Sequence, residues 1–257
     1  MGCADSREKT SSPEEERIIA VAEDRLGFKF LNAQWIDRTI HRYSISNKLS
    51  EAQFSAAFNE LSIDLANFEE DMTPFKKFYS GFLNDDSLTY SAQQLSSLGI
   101  LLGKGSAKDK ASLLFQNYDV DLSKSIDYDE FVIMLNELIE IGLTRIPKLA
   151  WELAAEDEKF LLGKYMRRLE IAKPIVKKFY VVMIHRDKEA ELSYDDFVNM
   201  FSKEELKMMV NAKTLRQIAI HHYNTVIAPA NLVKCYVLAE MKESKTLLDS
   251  TKGVEEL

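Results

Sequence analysis

The chain reads as an all-α protein built from two lobes of paired helix–loop–helix units, four units in all. A helical insert separates the third unit from the fourth, and a helical extension follows at the carboxy end. Three observations carry that reading. Apolar residues recur at three- and four-residue spacing, and no segment alternates at period two for long. Capping signals of the form S/T/D-x-x-E/Q recur at Ser50…Gln53, Ser91…Gln94, Asp127…Glu130 and Ser202…Glu205, while glycine is scarce, at 9 of 257 residues. Segments starting at 42, 81 and 119, each closing on a hydrophobic residue followed by a capping residue, lie 39 and 38 residues apart.

Taken in order, residues 1–12 form a flexible terminus that carries a lipidation pattern. Removal of Met1 exposes Gly2, and Ser6 completes M-G-x-x-x-[ST] for N-myristoylation, with Cys3 placed for palmitoylation. One myristoyl chain binds a membrane only marginally and reversibly, and a second acyl chain makes the attachment stable. Ser12, Pro13 and Glu14–Glu16 then start a helix, with a cap, a proline at the first helical position and acids at the positive dipole end. Ile18, Val21, Ala22 and Leu26 are expected to form its apolar face, and Gly27 to end it.

The amino-terminal lobe is expected over 13–105. Its first loop, 42–53, offers Ser44 and Ser46, with Gln53 where a closing acid belongs. Its second, 81–92, has Gly81, Leu83 and Ala92 at the first, third and twelfth positions. Neither gathers enough charge to hold a cation. Gly99-Ile-Leu-Leu-Gly103-Lys104-Gly105-Ser106 looks like a phosphate loop but has three residues between its glycines where four are needed, and Gly105 separates the lysine from the hydroxyl. It reads as a helix end, a flexible hinge between lobes and a serine cap for the next helix.

The second lobe, 106–242, holds the most informative segment. In the loop 119–130, Asp119, Asp121, Ser123, the backbone carbonyl of Ser125, Asp127 and Glu130 fall at positions 1, 3, 5, 7, 9 and 12. These are the oxygen ligands of a twelve-residue calcium loop, with Glu130 as the bidentate closing ligand. Leu114, Phe115 and Tyr118 end an apolar helical stripe before the loop, and Phe131, Met134, Leu135 and Leu138 begin one after it. Lys124 stands at position 6, where glycine normally supplies positive φ, so weakened affinity is expected rather than a dead site. The fourth loop, 185–196, has Asp187, Glu189, Ser193 and Asp196, but His185 replaces the first acid. Loops of this kind pair through a short strand at position 8, which would set Ile126 against Leu192 and Leu49 against Leu88.

The insert at 140–172 carries an apolar run from Ile141 to Leu162 that suits an extra helix pair packed in the core or plugging a groove. Further on, Leu215, Ile218, Ala219, His222, Tyr223 and Val226 make a helical stripe, Cys235 reads as a buried structural thiol, and 243–257 is a polar tail.

With the 119–130 loop, the segment from Lys108 through Asp119 and the acylation pattern at Gly2 and Cys3, the chain resembles the EF-hand calcium-sensor superfamily. Its nearest likeness is to the myristoylated four-hand members: neuronal calcium sensors, calcineurin B and calcineurin-B-like proteins, with calaxin-type ciliary proteins beside them. The resemblance is specific at 107–140 and 1–6. It implies calcium as cofactor and calcium-dependent binding of a partner helix in an apolar groove. It also implies the cytoplasmic face of a membrane, or a cilium, as the setting.

Composition agrees. A net charge of −8 argues against a nucleic-acid surface, and two cysteines, Cys3 and Cys235, imply no disulfide framework. No nucleophile elbow, zinc motif or paired-acid arrangement stands out, so no enzyme is expected. The expectation is a membrane-tethered, calcium-responsive adaptor or regulatory subunit with a protein partner. The alternative is an EF-hand scaffold in a large assembly with little calcium switching.

Overall fold

The chain is described by a computed structural model that covers residues 13–63, 72–84, 86–185 and 189–229. Gly2 and Cys3, Ser12, Asp187 and Cys235 lie outside the described residues. Helix α1 (Glu14–Arg25) starts at Pro13, which stands at the cap position, and ends as expected before Gly27, whose φ is 81°. Its inward line runs Glu16, Ile19, Ala22 and Leu26, and the expected Val21 is 63% exposed. The helix is rotated because Arg216, far along the chain, binds both Glu16 and Glu23 and draws that acidic edge inward.

The first unit is α2 (Ala33–Tyr43), β1 (Lys48–Leu49) and α3 (Glu51–Glu60). The second is α4 (Met72–Ser80), β2 (Leu83–Asn84), β3 (Thr89–Ser91) and α5 (Ala92–Leu102). Strand β3 lies between β1 and β2, antiparallel to both. Leu49 faces Tyr90 rather than Leu88, which corrects the second loop by two residues. The cause is local. The Asn84 side chain accepts the N–H groups of Asp86 and Ser87, tightening the turn, and Leu88 is left exposed at φ 50°. Tyr90 takes the interior place instead, stacked on Phe54 with ring centroids 4.2 Å apart. Counted from Tyr90, the closing position of this loop falls on Gln94, whose N–H is capped by Ser91.

The third and fourth units are α6 (Ala107–Tyr118), β4 (Ser125–Ile126) and α7 (Tyr128–Glu140), then α9 (Glu156–Ile184), β5 (Leu192–Ser193) and α10 (Tyr194–Met200), with α8 (Ile146–Leu153) between them. Ile126 faces Leu192, as the loop spacing requires. The insert is not a separate helix pair. Helix α7 runs on through a π-helical turn, Ile141–Arg145, into α8, and α9 is simply a long incoming helix of 29 residues. Ile141, Leu143, Ile146, Leu149 and Leu162 are buried, so the insert packs as core. The described residues end with α11 (Glu204–Lys207) and α12 (Ala212–His222), which runs on through a π-helical turn, Tyr223–Ile227. No cap forms at Ser202, because α11 starts after Lys203 without a side-chain cap.

Buried apolar side chains form one continuous cluster from Ile19 to Ala219. Helix α1 packs against α8 and α9, so the first helix of the amino-terminal half is built into the other half. The 103–106 linker does end α5 and cap α6 through Ser106, but it is no free hinge. Lys104 N–H donates to Leu31 O at 2.7 Å, and Ala33 N–H donates to Lys104 O at 2.8 Å. No helix among the described residues is long and apolar enough to cross a membrane.

Candidate metal centre

The 119–130 loop hangs between two helix ends that the core fixes. On the incoming side, Tyr118 is buried, its hydroxyl 2.5 Å from Glu137 and 3.0 Å from Ser97. Beside it, the Asn117 amide donates to Asp37 at 3.0 Å and to the Ser96 hydroxyl at 2.9 Å, while its oxygen meets His41 Nε2 at 2.7 Å. Burial alone would raise the Asp37 carboxyl, but bonds from His41, Ser96 and Asn117 outweigh it and hold the carboxyl below its ordinary range. The bond to Asp37 in turn raises His41. On the outgoing side, Asp127 and Glu130 form a reciprocal cap: Glu130 N–H donates to Asp127 at 2.8 Å and Asp127 N–H to Glu130 at 3.2 Å.

Within the loop three acids converge. Oxygens of Asp119, Asp121 and Glu130 lie within 4.8 Å of one another. Oxygens about 2.4 Å from a shared calcium are at most about 4.8 Å apart, so the spacing fits one ion among them. Backbone donors steady two of the acids: Ser123 N–H reaches Asp121 at 2.9 Å and Lys124 N–H reaches Asp119 at 3.2 Å. The Ser123 hydroxyl lies 3.1 Å from the Ser125 carbonyl, placing the fifth and seventh ligand positions side by side. Asp127 is occupied as a helix cap, which suits a ninth position that reaches an ion through water. Lys124 adopts φ 66°, the left-handed turn expected at position 6, and Leu122 adopts φ 60°.

Partial burial is the chief cause that raises the Glu130 carboxyl, and the neighbouring charges of Asp127 and Asp121 add to it. Asp121 is held down by its hydrogen bonds from Ser123. A cation would reverse the crowding at Glu130. The donor set is oxygen alone, without sulfur or imidazole, which favours a hard ion such as calcium or magnesium over zinc.

Among its described residues the fourth loop does not gather acids in this way. His185 at its first position is 3% exposed, its ring 5.3 Å from Phe131 and 6.1 Å from Tyr128, so that position faces the core. Ser193 and Asp196 are engaged with each other as a cap, and Glu191 accepts the Ser125 hydroxyl at 2.8 Å across the strand pair. In the first loop, Ser44 is bonded back to His41 O. Sequence reasoning missed the Asp37–His41–Ser96–Asn117 network. Its one signal was Asp37 and His41 at i and i+4 on one helix.

Phe131, Met134, Leu135 and Leu138 bring the apolar surface expected after the loop, and all four are fully buried. Helix α7 packs against α5, α6 and α9. No family model, curated protein or solved structure matches the chain.

Proposed function

We propose that the chain is an EF-hand protein that binds one calcium ion at 119–130 and serves a protein partner as an adaptor or regulatory subunit. The observation that carries this is the convergence of Asp119, Asp121 and Glu130 around the position where Ser123 and Ser125 add their oxygens. The strand pair joining Ile126 to Leu192 supports a paired-hand arrangement. Gly2 and Cys3 supply the membrane tether in this reading, at the cytoplasmic face. A calorimetric calcium titration in about 1 mM magnesium tests it. One site should appear in the wild type. Glu130→Gln should weaken it about a hundredfold or more, near 3 kcal/mol, with the helical circular dichroism unchanged. Equal heats from both proteins would remove the loop as the site.

A second reading has an observation of its own. The residues that a sensor would uncover are buried, and α7 continues into α8, which packs on α1 and α4. Swinging α7 would drag α8 out of its seat. That favours a scaffold in a larger assembly, a ciliary one by resemblance, in which the ion stabilises without switching. An apolar dye separates the two: a calcium-dependent rise in its fluorescence supports the adaptor, and none supports the scaffold.

A further inference from the structure

A cleft of about 290 Å³ opens between α4 and the helix that runs from α7 through the π-helical turn into α8. Phe78 and Gly81 line it from the α4 side, and Glu140, Arg145 and Leu149 from the other. The Arg145 guanidinium lies over the Phe82 ring, 4.5 Å from its centroid. A Cβ on Gly81 would stand 3.3 Å from Arg145 Nη1, so the glycine leaves room for the group. Nη1 is buried without a hydrogen-bond partner, and the rest of the side chain lines the cleft. Stacking engages the face of the guanidinium plane and leaves its N–H edge unmet. The carboxylates that act on it by charge are engaged elsewhere. Glu140 accepts the Thr144 hydroxyl at 3.1 Å and the Lys173 ammonium at 3.3 Å, and Glu137 accepts the Gln94 amide at 2.7 Å and the Tyr118 hydroxyl. A half-buried cation left in this state costs stability, and burial holds it below its ordinary range.

We propose that the cleft binds an organic monocarboxylate, whose planar group takes the open N–H edge of Arg145 while its apolar body lies along Phe78 and Leu149. A carboxylate matches two parallel guanidinium N–H groups. The charges around the cleft, Lys77, Arg145, Lys148 and Lys173 against Glu137, Glu140 and Glu152, leave one positive in excess. That balance suits a monoanion and disfavours a phosphate dianion. The volume holds a small free acid or the last residue of a peptide, and both present the same group.

The test titrates the full chain with sodium benzoate and with benzamide, its neutral counterpart of the same shape, and follows amide NMR shifts. Chelator is present throughout, because the site stands apart from the calcium loop. Benzoate should saturate with a Kd of about 1 mM or tighter, moving the amides of Gly81, Thr144 and Arg145. Benzamide should bind about tenfold more weakly or worse, and so should benzoate to Arg145→Met. That variant removes a cation without a partner and should melt no lower than the wild type. Arg145→Lys keeps the charge without the fork and should fall between the two. Glycyl-glycyl-phenylalanine distinguishes the sources: tighter binding than benzoate marks a partner's chain end, and weaker binding marks a free acid. Benzoate shifts that are absent, that lie away from the cleft or that are equal in Arg145→Met would overturn the proposal. So would inorganic phosphate that binds more tightly than benzoate.

Discussion

Lys110 sits on α6 with 4% of its surface exposed, its ammonium donating to the Val210 carbonyl at 3.2 Å. Burial pushes it down from 10.5 to about 8. Folding therefore disfavours the charged form, so the penalty is fully present below pH 8 and is relieved as pH rises from 8 toward 10.5. Lys110→Met should raise stability at pH 7 by about 2–3 kcal/mol and flatten the rise between pH 8 and 9.5, as read by urea denaturation. At this scale the sequence was partly legible. The convergence of Asp119, Asp121 and Glu130 follows from spacing, because a twelve-residue loop imposes its own geometry. Lys110 did not, since a lysine in Lys108-Asp109-Lys110 looks solvated until the turn of α6 is known. Lys124 lay between: its residue type opposed the left-handed turn, and the loop imposed it.

Among the elements, α2 and α5 approach closely where glycine permits it. A Cβ on Gly99 would lie 2.3 Å from Ile36 Cγ2, inside any permitted contact. Gly99→Ala should lower stability by about 2–3 kcal/mol, seen as a fall in thermal midpoint, with calcium heats retained. Helix starts were legible where a side chain could close a reciprocal cap, as at Ser50, Ser106 and Asp127. The second loop was misplaced because two apolar residues, Leu88 and Tyr90, competed for the inward position and only the strand pairing decides between them. The insert was misread because its apolar run fits an extra helix pair equally well. Only the π-helical turn at Ile141–Arg145 shows that the helix never stopped.

Across the whole molecule, the halves are fastened by charge. Arg216 is fully buried, with Nε 2.8 Å from Glu16 and Nη2 2.9 Å from Glu23; Tyr165 also bonds Glu16, and Arg168 reaches Glu15 at 2.8 Å. Arg216→Met removes the cation and leaves buried carboxylates behind, a loss of about 3–5 kcal/mol. Burial already raises Glu23 despite the arginine. The variant should thus recover part of its stability as the pH falls and Glu23 takes up a proton, which denaturation at pH 7 and pH 5 would show. None of this was legible, because the partners are 200 residues apart and each looks like a solvated charge on its own helix.

The His41–Asn117 bond between the last turns of α2 and α6, with the two strand groups, brings the four loops to one end of the molecule. Helices α2, α4, α6 and α9 finish at that end, and α3, α5, α7 and α10 begin there. Negative and positive helix termini therefore alternate, and their partial charges largely cancel within a turn. What an approaching ion feels is the formal charge of the loop acids. Such a field is screened within about 8 Å at physiological ionic strength, so capture of the cation should slow steeply with added salt while the geometry that retains it stays the same.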